Sequence, residues 1–153
     1  GAAQVRVQMD KDVELLQLRL PLRSLAQALR ALFKNALESS PPGATVEVSL
    51  RLSRRTLKIA VMDHGSGMSA ETLRRLGEPF FTTKAPGSGM GLGVFLCHAV
   101  FESLNGQLVF SSTAGEGTQA TVTLPLDGAI ALLAPPLPPD PAFAPLHPDK
   151  VPA

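Results

Sequence analysis

Gly87–Gly93 reads GSGMGLG and runs straight into an apolar segment with helical spacing. Glycine stands at every second position of that run. The first N–H groups of a helix have no partners within the helix and sit at its positive dipole end, so they bind phosphate. Glycine removes the Cβ that would hold an anion away from the backbone. A flexible linker is the plain alternative. The spacing fits neither the P-loop, since no Lys follows, nor the dinucleotide loop, whose last two glycines lie three apart. The catalytic-loop and magnesium-binding motifs of the protein kinases are also missing. A nucleotide site here therefore belongs to some other fold.

Three further segments carry chemistry. Asp63–Gly67, DHGSG, follows an alternating apolar run directly. A carboxylate at a strand end followed by glycines is either a ligand-facing turn or a simple Asp-Gly turn. Asn35 sits in a helical stretch beside its apolar stripe. An interior Asn disfavours helix and needs a partner when buried, and its amide oxygen suits Mg²⁺ as well as a structural hydrogen bond. Glu78–Lys84, EPFFTTK, offers two aromatics, two hydroxyls and a cation. It reads as a core-facing Phe pair with a solvated Lys, or as the edge of a mobile flap whose Lys84 meets a phosphate.

These segments need elements to position them. Leu22–Ser39 has apolar residues at three- and four-residue steps and ends at Pro41-Pro42-Gly43, which predicts a helix. Thr45–Leu52 and Leu57–Met62 alternate as half-buried strands do, joined by SRRT. Gln4–Gln8 and Asp12–Leu18 also read as strands. Ser69 suits the N-cap of a short helix with Glu71 in its first turn. Gly91–Leu104 reads as a second long helix closed by Asn105-Gly106. Gln107–Ser111 and Thr118–Leu124 complete a hairpin. Strands adjacent in sequence with few intervening helices imply an α+β, two-layer α/β sandwich. Its sheet is mixed and mostly antiparallel, with about three helices on one face.

Composition narrows the function classes. Lys+Arg is 14 and Asp+Glu is 13, for a net charge of +1, which argues against a dedicated nucleic-acid binder. The aromatics are all Phe, a poor set for base stacking. The single cysteine, Cys97, excludes an internal disulfide and a Cys-based zinc cluster. No apolar run is long enough for a membrane span, and no signal peptide opens the chain. Eight of the 14 prolines fall in 127–153. Such a stretch holds neither a helix nor a central strand, and reads as an extended or disordered tail. Its PxxP spacing at Pro135, Pro138 and Pro141 also fits a ligand for an SH3-like domain. The folding unit is then 1–126.

Taken in order, Asn35, DHGSG, EPFFTTK and GSGMGLG resemble the N, G1, F and G2 boxes of the sensor histidine kinase catalytic and ATP-binding domain. That domain has the Bergerat fold of the GHKL superfamily, and GEGTQATVTLPL (Gly115–Leu126) resembles its last strand pair. The resemblance covers roughly residues 3–126. It implies ATP and Mg²⁺ as ligands and transfer of the γ-phosphoryl to a histidine in two-component signalling. By resemblance, Asp63 accepts a hydrogen bond from the adenine amine, supported by Thr118. Gly65 and Gly67 let the adenine lie against the backbone, and Asn35 coordinates Mg²⁺. Gly89, Gly91, Leu92 and Gly93 cradle the phosphates. Residues from about Leu76 to Gly89 form the ATP lid, with Lys84 and Ser88 as phosphate contacts. Met68, Phe80, Thr83 and Met90 complete the nucleotide-binding set, and Asn35 and Lys84 are the catalytic residues it implies.

Two positions depart from the family pattern. Ala31 stands where ATP-hydrolysing relatives have a Glu that activates water, one helical turn before Asn35. Its methyl argues against an ATPase and agrees with a kinase, whose nucleophile comes from another domain. Glu38 stands where many histidine kinases have Lys. None of His64, His98 and His147 suits the phosphoacceptor role, and no two-helix hairpin precedes residue 22. The chain thus reads as a piece of a longer kinase, soluble and cytoplasmic in itself, the whole being membrane-anchored. Its implied partners are the phosphoacceptor helical hairpin of the same kinase and a response regulator, with homodimerisation in the full-length protein. An anti-sigma-type serine kinase and a non-catalytic nucleotide-binding module are the alternatives. NALESSPP and GLGVFL resemble redox-sensing kinases of the RegB/PrrB type, but Cys97 in FLCHAV reads first as a buried, inert thiol.

Overall fold

A computed structural model describes residues 2–14, 16–18, 20–87 and 89–126. The proline-rich segment 127–153 and Ser88 lie outside the described residues. The chain runs β1 (Gln4–Met9), α1 (Lys11–Glu14), α2 (Leu22–Ser39), β2 (Thr45–Ser53), β3 (Thr56–Asp63), α3 (Ala70–Arg75), α4 (Gly93–Ser103), β4 (Gln107–Thr113) and β5 (Gly117–Pro125). The strands form one sheet in the order β1-β2-β3-β5-β4. β1 pairs parallel with β2, and the other pairs are antiparallel. The parallel pair follows from the crossover through α2, because a tight hairpin can only return antiparallel. This is the mixed, mostly antiparallel α+β sandwich that the strand pattern implies.

The period-2 alternation of β3 is clean. Leu57, Ile59 and Val61 are buried, while Lys58 is exposed. On β5, Ala120, Val122 and Leu124 point the same way. The helix layer meets that face through Ala28, Leu32 and Ala36, a stripe at four-residue steps on α2, and through Cys97 and Phe101 on α4. All of these belong to one contiguous core. α2 stops where Ser40 turns its N–H and its Oγ onto the Ala36 carbonyl, 3.1 and 2.7 Å away, and Pro41 forbids another turn. The β2–β3 hairpin closes with Arg54 and Arg55 at φ 48° and 61°, the left-handed pair that a two-residue turn between twisted strands needs.

Two elements depart from the expected pattern. Asp12–Leu18 is not a second strand. The Asp10 carbonyl accepts from the N–H groups of Val13 and Glu14 at 2.9 and 3.3 Å, which winds Lys11–Glu14 into a helical turn. The apolar spacing there serves to tuck Val13 into the core as the chain leaves β1 for α2. The second long helix begins at Gly93 rather than Gly91, because Gly91 has φ +71°, outside the helical region.

Candidate nucleotide-binding site

Strand register lays three rows across β3, β5 and β4 on the helix-facing side. Ile59, Val122 and Leu108 form the first row, and Val61, Ala120 and Phe110 the second. Asp63, Thr118 and Ser112 form the third. Inward positions recur every second residue, so a polar residue at the end of each strand gives a polar row beside two apolar ones. Asp63 and Thr118 line a cleft of about 400 Å³ that is walled on its other sides by α2, the segment 76–91 and the start of α4.

Asp63 is 4% exposed, the one buried charged side chain among the described residues. Its Oδ1 accepts from the N–H groups of Gly65 and Thr118, at 2.9 and 3.2 Å. Two backbone donors offset much of the cost of burying a carboxylate. Among the described residues no bond reaches Oδ2, and no fully buried side-chain oxygen is left without a partner. Oδ2 is therefore the oxygen with access to the cleft, an anionic acceptor held at a fixed angle.

The glycines of DHGSG are demanded by packing on the far side of the loop. A Cβ on Gly65 would run into the Ser39 carbonyl at the end of α2. One on Gly67, where φ is +64°, would run into the Thr113 carbonyl. The loop is pressed between α2 and the β4–β5 turn, which brings Gly67 and Met68 to the cleft wall while Gly65 stays behind it.

At the opposite side, α4 begins with no side-chain cap. Leu92 is its N-cap residue, and its carbonyl accepts from Leu96 N–H at 2.9 Å, which leaves the N–H groups of the first turn unpaired within the helix. Gly89, Met90, Gly91, Gly93 and Val94 all line the cleft here. Leu92 does not. Gly91 is required by the base of the loop. Its carbonyl accepts from Phe80 N–H at 3.1 Å, and a Cβ on it would stand 2.6 Å from the Phe80 carbonyl carbon. This bond ties the two ends of the segment 80–91 together. Phe80 itself has φ +66° and is 72% exposed, and it is the neighbouring Phe81 that lines the cleft, its ring under the Arg75 guanidinium at 4.2 Å.

Asn35 lies on the cleft side of α2, next to the buried Ala36. Its Oδ1 accepts from Lys84 Nζ at 3.3 Å, and the same ammonium pairs with Glu38. Lys34 adds a second cation near Glu38 at 3.7 Å. The Lys84 hydrogen bond, with Lys34 behind it, holds the Glu38 carboxyl below the usual carboxylate range. Lys84 thus folds the tip of the loop back onto α2. Thr83 lines the cleft beside it, and so does Ala31, one turn before Asn35.

A residue behind the cleft wall, Ser112, is not apparent from the motifs, and neither are the lining residues Thr72, Val94, Phe110 and Ala120. Ser112 completes the polar row and bonds to Met68, Gly117 and Thr118. Its signal is the alternation Leu108, Phe110, Ser112, legible once β4 is allowed to run two residues past Ser111 to Thr113. The packing of α4 on α2 explains Cys97 as well. It is buried in α4 with its Sγ 3.3 Å from the Ala28 carbonyl, and burial pushes its pKa up to about 11.

A profile of the histidine kinase-, DNA gyrase B- and HSP90-like ATPases matches residues 22–128. The sensor protein DegM of Bacillus sp. (strain B21-2) is 38% identical over 101 residues, 66% of this chain and 26% of that protein. Sporulation kinase E of Bacillus subtilis (strain 168) is 34% identical over 123 residues, 80% of this chain and 16% of that protein. The chain therefore spans about a quarter or less of these curated relatives. Among solved structures, the mycobacterial sensor histidine kinase MprB superimposes with a TM-score of 0.67 at 22% identity, covering 80% of this chain and 81% of that one. Full-length ShkA in complex with AMPPNP gives 0.71 at 19% identity, over 86% of this chain and 27% of that one. At those identities the structures speak for the fold.

Proposed function

The chain belongs to the histidine kinase-, DNA gyrase B- and HSP90-like ATPase family, and from that premise we propose that it is the ATP-binding catalytic domain of a sensor histidine kinase. One observation carries the reading. A fixed anionic acceptor, Asp63, and an uncapped helix N-terminus face each other across one cleft. The first suits a purine amine and the second a chain of phosphates.

The division of labour follows from this arrangement. Asp63 Oδ2 accepts from the adenine amine, with Thr118 beside it, and Gly67 and Met68 form the wall along the base. Gly89, Met90, Gly91 and Gly93 bring backbone to the phosphates with little side-chain bulk between. Thr83 and Lys84 approach from the loop, while Leu92, the N-cap residue of α4, and Phe80, whose N–H bonds to the Gly91 carbonyl, fix the backbone beside the cleft. Phosphoryl transfer needs positioning and charge neutralisation more than covalent chemistry, and preorganised N–H donors supply both.

The donors present suit Mg²⁺. Asn35 Oδ1 is a hard oxygen that already faces a cation, the Lys84 ammonium. Among the described residues no cluster of His, Cys, Asp and Glu could hold a metal alone, in keeping with an ion that takes one protein ligand and the phosphates. Bound there, Mg²⁺ would neutralise phosphate charge. Ala31 offers only a methyl where a water-activating base would stand, so the domain retains ATP for an acceptor rather than hydrolysing it.

The acceptor is a histidine on a helical hairpin of the same kinase, and a response regulator takes the phosphoryl group onward. The full kinase is a homodimer anchored in a membrane, with this domain on the cytoplasmic side. Among the described residues no helix is long and apolar enough to cross a membrane. The test combines Mg-ATP calorimetry with γ-labelled ATP and a purified two-helix phosphoacceptor domain. Saturable binding, slow hydrolysis and acid-labile label on the hairpin are expected. No binding of Mg-ATP, or rapid multiple-turnover hydrolysis by the chain alone, refutes the proposal.

A further inference from the structure

Ser112 makes three hydrogen bonds at once. Its Oγ accepts from Met68 N–H at 2.9 Å, lies 2.8 Å from the Gly117 carbonyl, and lies 2.9 Å from Thr118 Oγ1. A serine hydroxyl has one hydrogen and two lone pairs. The Met68 amide can only donate and the Gly117 carbonyl can only accept. One assignment satisfies all three contacts: Ser112 donates to Gly117, and Thr118 donates to Ser112. The Thr118 hydrogen is then committed away from the cleft, and its lone pairs are what Thr118 offers to the cleft it lines. Asp63 Oδ2, in the same row, is also an acceptor. The two side chains of this row that line the cleft thus both present acceptors to a purine edge.

The geometry points to Ser112 as a positioning residue that sets base specificity by fixing the direction of the Thr118 hydroxyl. This rests on the proposed ATP site. At its 6-position a 6-amino purine puts N–H donors against such a wall, whereas a 6-oxo purine puts a carbonyl oxygen against it and keeps only its ring N1–H to donate. Removing the Ser112 hydroxyl frees Thr118 to turn and donate into the cleft, which accommodates the 6-oxo group. Removal also leaves Met68 N–H without its acceptor, which loosens the DHGSG loop for every nucleotide alike. The ratio of affinities separates the two effects.

The experiment measures Mg-ATP and Mg-ITP dissociation constants by calorimetry on the 153-residue chain. The variants are Ser112→Ala, Ser112→Thr, Thr118→Val and Ser112→Ala/Thr118→Val, with thermal melts as the folding control. Ser112→Cys replaces Ser112→Ala if the alanine variant does not fold. The preference for ATP over ITP should fall roughly three- to tenfold in Ser112→Ala, the effect of one neutral hydrogen bond. It should hold within twofold in Ser112→Thr. In the Thr118→Val background, Ser112→Ala should leave it unchanged, because the hydroxyl it acts through is gone. An equal loss for both nucleotides in Ser112→Ala, or the same ratio change with and without the Thr118 hydroxyl, overturns the inference while leaving the ATP site standing. Failure of the wild type to bind ATP removes both.

Discussion

Asp63→Asn tests the site at its most constrained point. The carboxylate is 4% exposed, and Oδ1 is held by two backbone N–H donors. An asparagine keeps that oxygen in place, since flipping the amide would set its NH₂ against the N–H groups of Gly65 and Thr118. The exchange therefore changes one thing in the cleft: Oδ2, an anionic acceptor, becomes a donor. A hydrogen bond to a charged group contributes about 1.5–3 kcal/mol, and each 1.4 kcal/mol is tenfold in affinity. Mg-ATP should then bind roughly 10- to 150-fold more weakly. Folding stability should move by about 1 kcal/mol or less, because both backbone bonds persist. The new NH₂ can donate to a 6-oxo group, so affinity for Mg-ITP should hold or rise, and the preference should invert. Calorimetry with both nucleotides, and urea denaturation without them, give the three numbers. A folded Asp63→Asn variant that binds Mg-ATP as the wild type does would falsify the placement of the adenine.

Glu38→Gln should weaken the hold of Lys84 on α2, leaving its bond to Asn35, and raise amide hydrogen exchange at Thr83–Gly87, with stability changed by less than about 1 kcal/mol because the pair is exposed. The same loosening should appear in the wild type on acidification. The Glu38 pKa is depressed in the fold, so its contribution is present above the unfolded carboxylate pKa and is lost as pH falls through the lower, folded value. Exchange at this segment that ignores both changes would remove the latch. Cys97, with its pKa pushed up to about 11 by burial, should resist iodoacetamide at pH 8 in the native protein and react at once in denaturant, so quick native alkylation would contradict its place in the core. Gly65→Ala should destabilise the chain by roughly 1–3 kcal/mol, since its new methyl meets the Ser39 carbonyl. It should also weaken Mg-ATP binding by shifting the DHGSG loop, and a neutral outcome would show that the loop can move off α2.

Much of the site is legible in local sequence, because its motifs are backbone devices. GSGMGLG before an apolar helix announces free N–H groups, and Ser69 three residues before Thr72 announces a cap, with Ser69 Oγ accepting from Thr72 N–H at 3.2 Å. The helix Leu22–Ser39 follows from its stripe and from the prolines behind it. Asp12–Leu18 misleads because a short apolar alternation fits a strand or a buried turn equally well, and the choice falls to the Asp10 carbonyl and the route to α2. Gly65 and Gly67 look like ligand glycines, yet their glycine character answers to Ser39 and Thr113, residues far away in the chain.

Alternation along each strand already dictates that Asp63 shares a face with Val61 and Ile59, since side chains repeat every two residues. The order of motifs likewise dictates that an anionic acceptor precedes a phosphate-binding helix start. Neither says which residues stand side by side. That depends on β5 entering the sheet between β3 and β4, so that Asp63 pairs with Thr118 and Thr118 with Ser112. Register across strands comes from packing the whole inward face against α2 and α4, a non-local free energy that no short stretch of chain contains.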